Sequence, residues 1–426
     1  MRKRGQGRAV RTGAAAVLAT TALLGVAAAP AVAAPAVAQR QARAALPQPT
    51  GPYAVGTTAL RLTDAGRADP WKPGEARELM VSFWYPATRP ARGAERARYM
   101  EPQAAEHFGG NDGAGVFNYR TEPGRTDWSE IRTHARQDAP ALPGNGPRPV
   151  VLYSAGLGDP RTLGTGLAED LASRGYLVVT VDHTYDASEV VFPDGRRADS
   201  VFPGMLGPGL DLGALLRKAL QTRVDDTRFV LDELAALRTD GRLPAALAGS
   251  IDLTRIGMVG HSAGGSTAVQ TMHDDPRIKA GVNMDGQLHF PGPDGTGVYL
   301  SSVAQDGLDR PFLLMGTENA DSGDYHHQPG WDGLWQHSPG WKVDVTLAGS
   351  RHSSYTDAQS LLPQLARQGA VTPDVLRDDV GDVRPERAVA ATRAYVASFF
   401  DRWLRGHDDH LLDGPSPRFP EMDFAR

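Results

Sequence analysis

A serine stands at the centre of Gly260-His261-Ser262-Ala263-Gly264, a G-x-S-x-G spacing that can present a hydroxyl on a sharp turn between a strand and a helix. With 48 glycines in 426 residues the pentapeptide alone decides nothing. Its flanks decide more, because the apolar run "RIGMVG" ends at Gly260 and a helix can begin directly after Ser262. A serine hydroxyl is a poor nucleophile until a base takes its proton, and the base needs a carboxylate to fix its tautomer. Among twelve histidines, His352 in "GSRHSSYTD" follows the apolar run "KVDVTLA" and occupies the place a base takes after the last strand. His326, His327 and His337 precede that run, and His407 and His410 follow the final helix and read as solvated. His261 lies on the turn itself, where it cannot easily reach back to Ser262. Two places bring a carboxylate to the same edge: Asp285 closing "VNMD", and Glu318 or Asp321 in "GTENAD". Spacing leaves them level. Attack on a carbonyl also creates an oxyanion, which needs two preorganised donors. The backbone N–H of Ala263 is one, and Leu157 in the loop "AGLG" supplies the other. His326-His327 has no second spaced ligand pair, so neither a metal nor any other cofactor is expected.

The elements that must carry these residues are legible as alternation. From Pro149 onward short apolar runs alternate with amphipathic segments, the pattern of parallel strands joined by crossover helices. Strands are expected at 149–154, 176–183, 255–260, 278–285, 311–316 and 342–349. Thr162 is expected to cap a helix bearing Leu163, Leu167 and Leu171, a long helix spans about 216–237, and a last helix with Val389, Val396, Phe400 and Trp403 ends at Gly406. "YAVGTTALRL" and "ELMVSFWYP" read as an antiparallel pair that starts the sheet. The fold class is therefore α/β, a mostly parallel central sheet with helices on both faces.

The first 38 residues differ in kind. Arg2, Lys3, Arg4, Arg8 and Arg11 precede an alanine-rich apolar run, and Ala31-Val32-Ala33 and Ala36-Val37-Ala38 offer small-x-small cleavage sites. This is the pattern of an export signal, too short and too rich in alanine for a membrane anchor. A secreted protein is expected, with residues 39–50 a flexible lead-in and 51–426 a single domain. Removing the five basic residues from 45 Lys plus Arg leaves 40 against 50 Asp plus Glu. An acidic balance of that size argues against a nucleic-acid partner. The absence of cysteine excludes disulfides and thiol catalysis.

The segments "VVLYSAGLGDPRTLGTGLAEDLASRGYLVVTVDH", "GHSAGGSTAVQTMHDDPRIKAGVNMD" and "GSRHSSYTD" resemble the type II platelet-activating factor acetylhydrolase family of α/β-hydrolases, and "GPYAVGTTALRL" resembles its first strand. The resemblance extends over most of residues 51–405. It implies the α/β-hydrolase fold and a triad of Ser262, Asp285 and His352, and so selects Asp285 as the acid. It also implies Leu157 and Ala263 as oxyanion donors, and a small-molecule or lipid ester as substrate, with short or oxidised acyl groups. Ala155 stands where the family usually has histidine, which leaves the support of the oxyanion loop unaccounted for. Residues 90–146, weakly matched, are expected to form a loop-rich excursion that helps line the substrate site. The stretch 92–115 is charged and glycine-rich, without the apolar stripe of a lipase lid. A bacterial lipase or cutinase-like polyester hydrolase is the alternative, and an acyltransferase or a non-catalytic binding protein the further ones.

Overall fold

In the computed structural model, which describes residues 41–89, 95–144, 146–292, 296–318 and 327–425, an antiparallel hairpin leads into a parallel sheet. The strands are β1 (Ala54–Ala68), β2 (Ala76–Ala87), β3 (Arg96–Arg98), β4 (Arg132–Gln137), β5 (Arg148–Ser154), β6 (Leu177–Asp182), β7 (Ile251–His261), β8 (Ile278–Met284), β9 (Phe312–Thr317), β10 (Lys342–Leu347) and β11 (Met422–Phe424). Their order is β11-β10-β9-β8-β7-β5-β6-β2-β1-β4-β3. From β6 to β10 every pairing is parallel, while β2 and β11 run antiparallel to their neighbours. The export signal expected over 1–38, Asp321 and His326 lie outside the described residues.

Parallel strands are buried on both faces, and the sequence supplies side chains for each. On β5, Val150 and Leu152 face one core and Val151 and Tyr153 the other. The first core takes Val230, Leu231 and Leu234 from a long helix, together with Val269 and Met272 from the helix after Ser262. The second takes Leu167 and Leu171, and Val396, Phe399 and Phe400 from the last helix. The six helices that matter are α1 (Thr165–Ser173), α2 (Leu212–Ala236), α3 (Ala263–Asp274), α4 (Pro329–His337), α5 (Ala358–Ala366) and α6 (Pro385–Arg405). Helix α6 opens on a proline and closes on Gly406 in the left-handed region, as its pattern indicates. Helix α2 begins four residues earlier than its apolar period suggests, because the Asp211 carboxylate accepts the Ala214 N–H at 2.8 Å and caps it. Thr162 caps nothing: it lies in a 3-10 turn, Arg161–Gly164, ahead of α1.

Two further expectations need correction. Residues 41–50 are not a loose lead-in. Ala42 and Leu46 are buried, and Thr50 donates through both its N–H and its hydroxyl to Asp170 at 2.8 Å. The described residues of 90–146 are not among those that line the cleft described below. They add β3 and β4 at the far edge of the sheet and bury Phe108, Tyr119 and Trp128 against Leu361, Leu362 and Leu365 of α5. Apolar residues too sparse for helical periodicity still form a core of their own once α5 is beside them.

Candidate active site

The chain lays down β5 and β6, then returns to place β7 on the other side of β5, so the strand order reverses between β5 and β7. In open α/β sheets the crevice at that reversal, beyond the carboxyl ends of the strands, is where ligands bind. Ser154, the last residue of β5, pairs in register with Gly260, and His261 at the end of β7 pairs with Met284. The loop after β5, the turn after β7 and the turn after β8 therefore meet at one point.

Ser262 sits on that turn with φ 55° and ψ −125°, a conformation costly for a residue with a Cβ. The tightness is imposed by its neighbours. A Cβ on Gly260 would lie 2.2 Å from the Gly264 carbonyl oxygen, and one on Gly264 would lie 1.9 Å from the Ser154 carbonyl oxygen. The Ser262 N–H donates to the Met284 carbonyl at 2.8 Å, which ties the strained turn to β8. Its hydroxyl is 2.9 Å from His352 Nε2, and His352 Nδ1 is 2.5 Å from Asp285 Oδ2. The buried Asp285 carboxylate accepts from the Thr317 N–H and from the Thr317 hydroxyl, each at 3.0 Å. That fixes the carboxylate's plane, and with it the imidazole tautomer that leaves Nε2 free to take the serine proton.

Glu318 is turned elsewhere: its carboxylate accepts the Gly349 N–H at 2.6 Å. His337 bonds the Ala304 carbonyl, His407 is exposed, and His410 is exposed and paired with Asp413. His261 contributes in a way its position in the sequence does not suggest. Its ring packs 4.6 Å from that of His352, and Nε2 is 2.7 Å from the His352 carbonyl. Burial, reinforced by the His352 charge, pushes His261 well below the ordinary histidine range. It is therefore a neutral donor that holds the His352 backbone. Desolvation pulls His352 down, but the hydrogen bond and charge of Asp285, with the charge of Asp159, outweigh it and raise its pKa. Since only the neutral ring accepts the serine proton, kcat/KM is expected to rise with pH, with a midpoint above the ordinary value of about 6.5. A pH–rate profile with its acid limb centred below pH 6 would contradict this.

A second chain of the same residue types runs beneath the first. Ser154 Oγ is 2.9 Å from His183 Nε2, and His183 Nδ1 is 3.0 Å from Asp226 Oδ2. Access separates the two sets: Ser154 is 1% exposed, whereas Ser262 lines an open cleft. No ester carbonyl can reach Ser154, so this set is a strut. It joins a buried ionic network in which Arg77 bonds Asp69 and Asp226, and Arg223 bonds Asp186. None of these residues stands out in the sequence except by one signal. Arg223 and Asp226 fall on the side of α2 where its period calls for apolar residues.

The cleft has a volume of about 300 Å³, with Leu157, Leu216, Leu220 and Phe290 as its apolar wall and Gln287 and His289 beside them. Leu157 and Ala263 both border it. Ala263 opens α3, where a helix leaves its first N–H groups without internal acceptors. Among the described residues no helix is long and apolar enough to cross a membrane.

A mostly parallel sheet of this order, with a strained serine after its central strand, is α/β-hydrolase architecture, and the family and relatives that follow make the chain an ester hydrolase. The sequence profile of the family "Platelet-activating factor acetylhydrolase, isoform II" matches residues 38–193 and 239–372, and the chain belongs to that family. It is 30% identical over 397 residues to an Arthroderma benhamiae protein named "Probable 1-alkyl-2-acetylglycerophosphocholine esterase", covering 89% of this chain and 93% of that one. It is 23% identical over 320 residues to the platelet-activating factor acetylhydrolase of Gallus gallus, covering 66% and 69%. Among solved structures, a ferulic acid esterase from Streptomyces cinnamoneus superimposes with a TM-score of 0.71 at 36% identity, covering 90% of this chain and 99% of that one.

Proposed function

We propose that this protein is an exported serine esterase that cleaves compact acyl groups, short or shortened and made polar by oxidation, through an acyl-enzyme at Ser262. The observation that carries the reading is the Ser262–His352–Asp285 hydrogen-bonded chain opening onto a cleft of about 300 Å³. Ser262 Oγ attacks the ester carbonyl as His352 Nε2 takes its proton. The N–H groups of Leu157 and Ala263 receive the oxyanion, and His352 returns the proton to the leaving alcohol. Water, activated by the same histidine, then releases the acid. Asp285 stabilises the imidazolium in both halves. Export is supported by the basic start, alanine-rich run and small-x-small sites of residues 1–38. Its test is where the expressed protein is found and its N-terminal mass, and a chain retained in the cell that still carries residues 1–38 would exclude it.

Acyl preference is tested with p-nitrophenyl esters from acetate to palmitate, below and above the concentration at which the long esters aggregate. Acetate and butyrate are expected to turn over faster than palmitate. Faster palmitate cleavage with a jump on aggregation would move the protein to the lipases. A second reading, hydroxycinnamate esters, is favoured by the 36% identity to a ferulic acid esterase. A planar aromatic acyl group also suits the wall of Leu216, Leu220 and Phe290. Methyl ferulate cleaved faster than methyl hexanoate would select it.

A further inference from the structure

We infer that Arg223 is a positioning residue for the oxyanion hole: its guanidinium, buried beneath the loop after β5, aims the Leu157 N–H into the cleft. Arg223 is 1% exposed and reaches the loop from α2. Its Nη1 donates to the Ala155 carbonyl at 2.6 Å and its Nη2 to the Gly156 carbonyl at 2.8 Å. The Gly156 carbonyl and the Leu157 N–H belong to one peptide unit. In a planar trans peptide these two groups point in opposite directions, so fixing the carbonyl inward fixes the N–H outward. The turn's own bond, from the Asp159 N–H to the same carbonyl, is longer at 3.2 Å. A cation on the carbonyl side also polarises the peptide and strengthens the N–H as a donor.

The guanidinium is itself held. Asp186 accepts from Arg223 Nε at 2.7 Å and from Nη2 at 2.6 Å, and takes the Gly158 N–H at 3.1 Å. Arg223 Nη1 also reaches Ser154 Oγ at 3.3 Å, which connects the clamp to His183 and Asp226. Asp226 is held well below the carboxylate range: burial opposes its charge, but Arg77 and His183 outweigh that. An ionised Asp226 takes the His183 Nδ1–H, which leaves Nε2 to accept from the Ser154 hydroxyl. One side chain thus grips two consecutive carbonyls beside Ala155, the position where no histidine is available to brace the loop. Arg223 lies between the two segments matched by the family profile, so this brace belongs to the stretch of chain that the profile leaves out.

The inference rests on Ser262 as nucleophile, and the two fail separately. Labelling of Ser262 by a phosphonate, located by mass spectrometry, reports on the nucleophile alone. The clamp is tested with Arg223→Lys, which keeps the charge but not the fork, and with the double change Arg223→Gln, Asp186→Asn. The Lys variant is expected to fold and to lose about 100-fold in kcat, within the range of losing one oxyanion donor, with KM little changed. Affinity for a trifluoromethyl ketone, whose adduct oxygen occupies the hole, should weaken by the same factor. Wild-type kcat in the Lys variant would show that only charge balance matters, and a fall in kcat without loss of ketone affinity would put the defect elsewhere. Either outcome overturns the inference. In the double change the carboxylate is neutral, so loss of the guanidinium leaves no unpaired buried charge, and kcat and ketone affinity should again fall together by about 100-fold; wild-type values of both would overturn the inference. If neither Arg223 variant folds, Asp186→Asn decides: by loosening the guanidinium that it holds it should lower kcat and ketone affinity together, and wild-type values of both would overturn the role of Arg223.

Discussion

Ser262→Ala is expected to abolish ester turnover, with a loss of about a million-fold in kcat, because nucleophile, base and acid act as a unit. The protein should remain folded. Ser262 is half-buried, and the bond of its Oγ to His352 Nε2 is replaced by solvent in the open cleft. The turn's geometry comes from Gly260, Gly264 and the Ser262 N–H to Met284 bond, none of which the change touches. Alanine also keeps the Cβ in its unfavourable conformation at φ 55°. Ser262→Gly should instead relieve about 1 kcal/mol of strain and raise the thermal midpoint while being equally inactive. The measurement is turnover of p-nitrophenyl acetate together with phosphonate labelling and a thermal melt. Labelling that persists in the alanine variant, or turnover within about a hundred-fold of wild type, would remove Ser262 from the mechanism.

Asp285→Asn should lower kcat by roughly four orders of magnitude, since an amide presents an N–H to His352 and favours the wrong tautomer. A second signature accompanies the loss. The carboxylate is what outweighs the desolvation of His352, so without it the acid limb of the pH–rate profile moves to lower pH. A generally loosened site would not shift the limb in that direction. Glu318→Gln is the matching control, because that side chain bonds Gly349 and not His352. It should leave both the rate and the limb nearly unchanged. If the Glu318 change is the more damaging, the acid has been misassigned.

The local pattern of the chain was sufficient for the architecture and for two thirds of the constellation. Apolar runs of strand length separated by amphipathic segments permit little else than a parallel sheet under helices, and the turn glycines around Ser262 have a reason visible in the sequence. His352 follows because a residue just past the last parallel strand must arrive at the carboxyl edge. The carboxylate is different. Asp285 and Glu318 both end strands at that edge, and period and spacing say nothing about rotation around it. Resemblance favoured Asp285, and the register of β8 against β9 puts the Thr317 donors beside its carboxylate while Glu318 turns to Gly349.

What the tertiary structure alone decided are the contacts between segments distant in the chain. Asn118 and Tyr119 reach Asp159 at 2.8 and 2.9 Å across about forty residues. Asn118 and Tyr119 therefore brace the loop after β5 from outside the cleft. Arg223 bonds Ala155 and Gly156 across 68 and 67 positions. Ser154, His183 and Asp226 repeat the residue types of the Ser262 set, and nothing in their local sequence says that an ester cannot reach Ser154. Burial settles that, and burial is a property of packed elements. A local period reports which face of a segment is apolar, whereas the partner of a buried charge is chosen by whatever the fold brings opposite it.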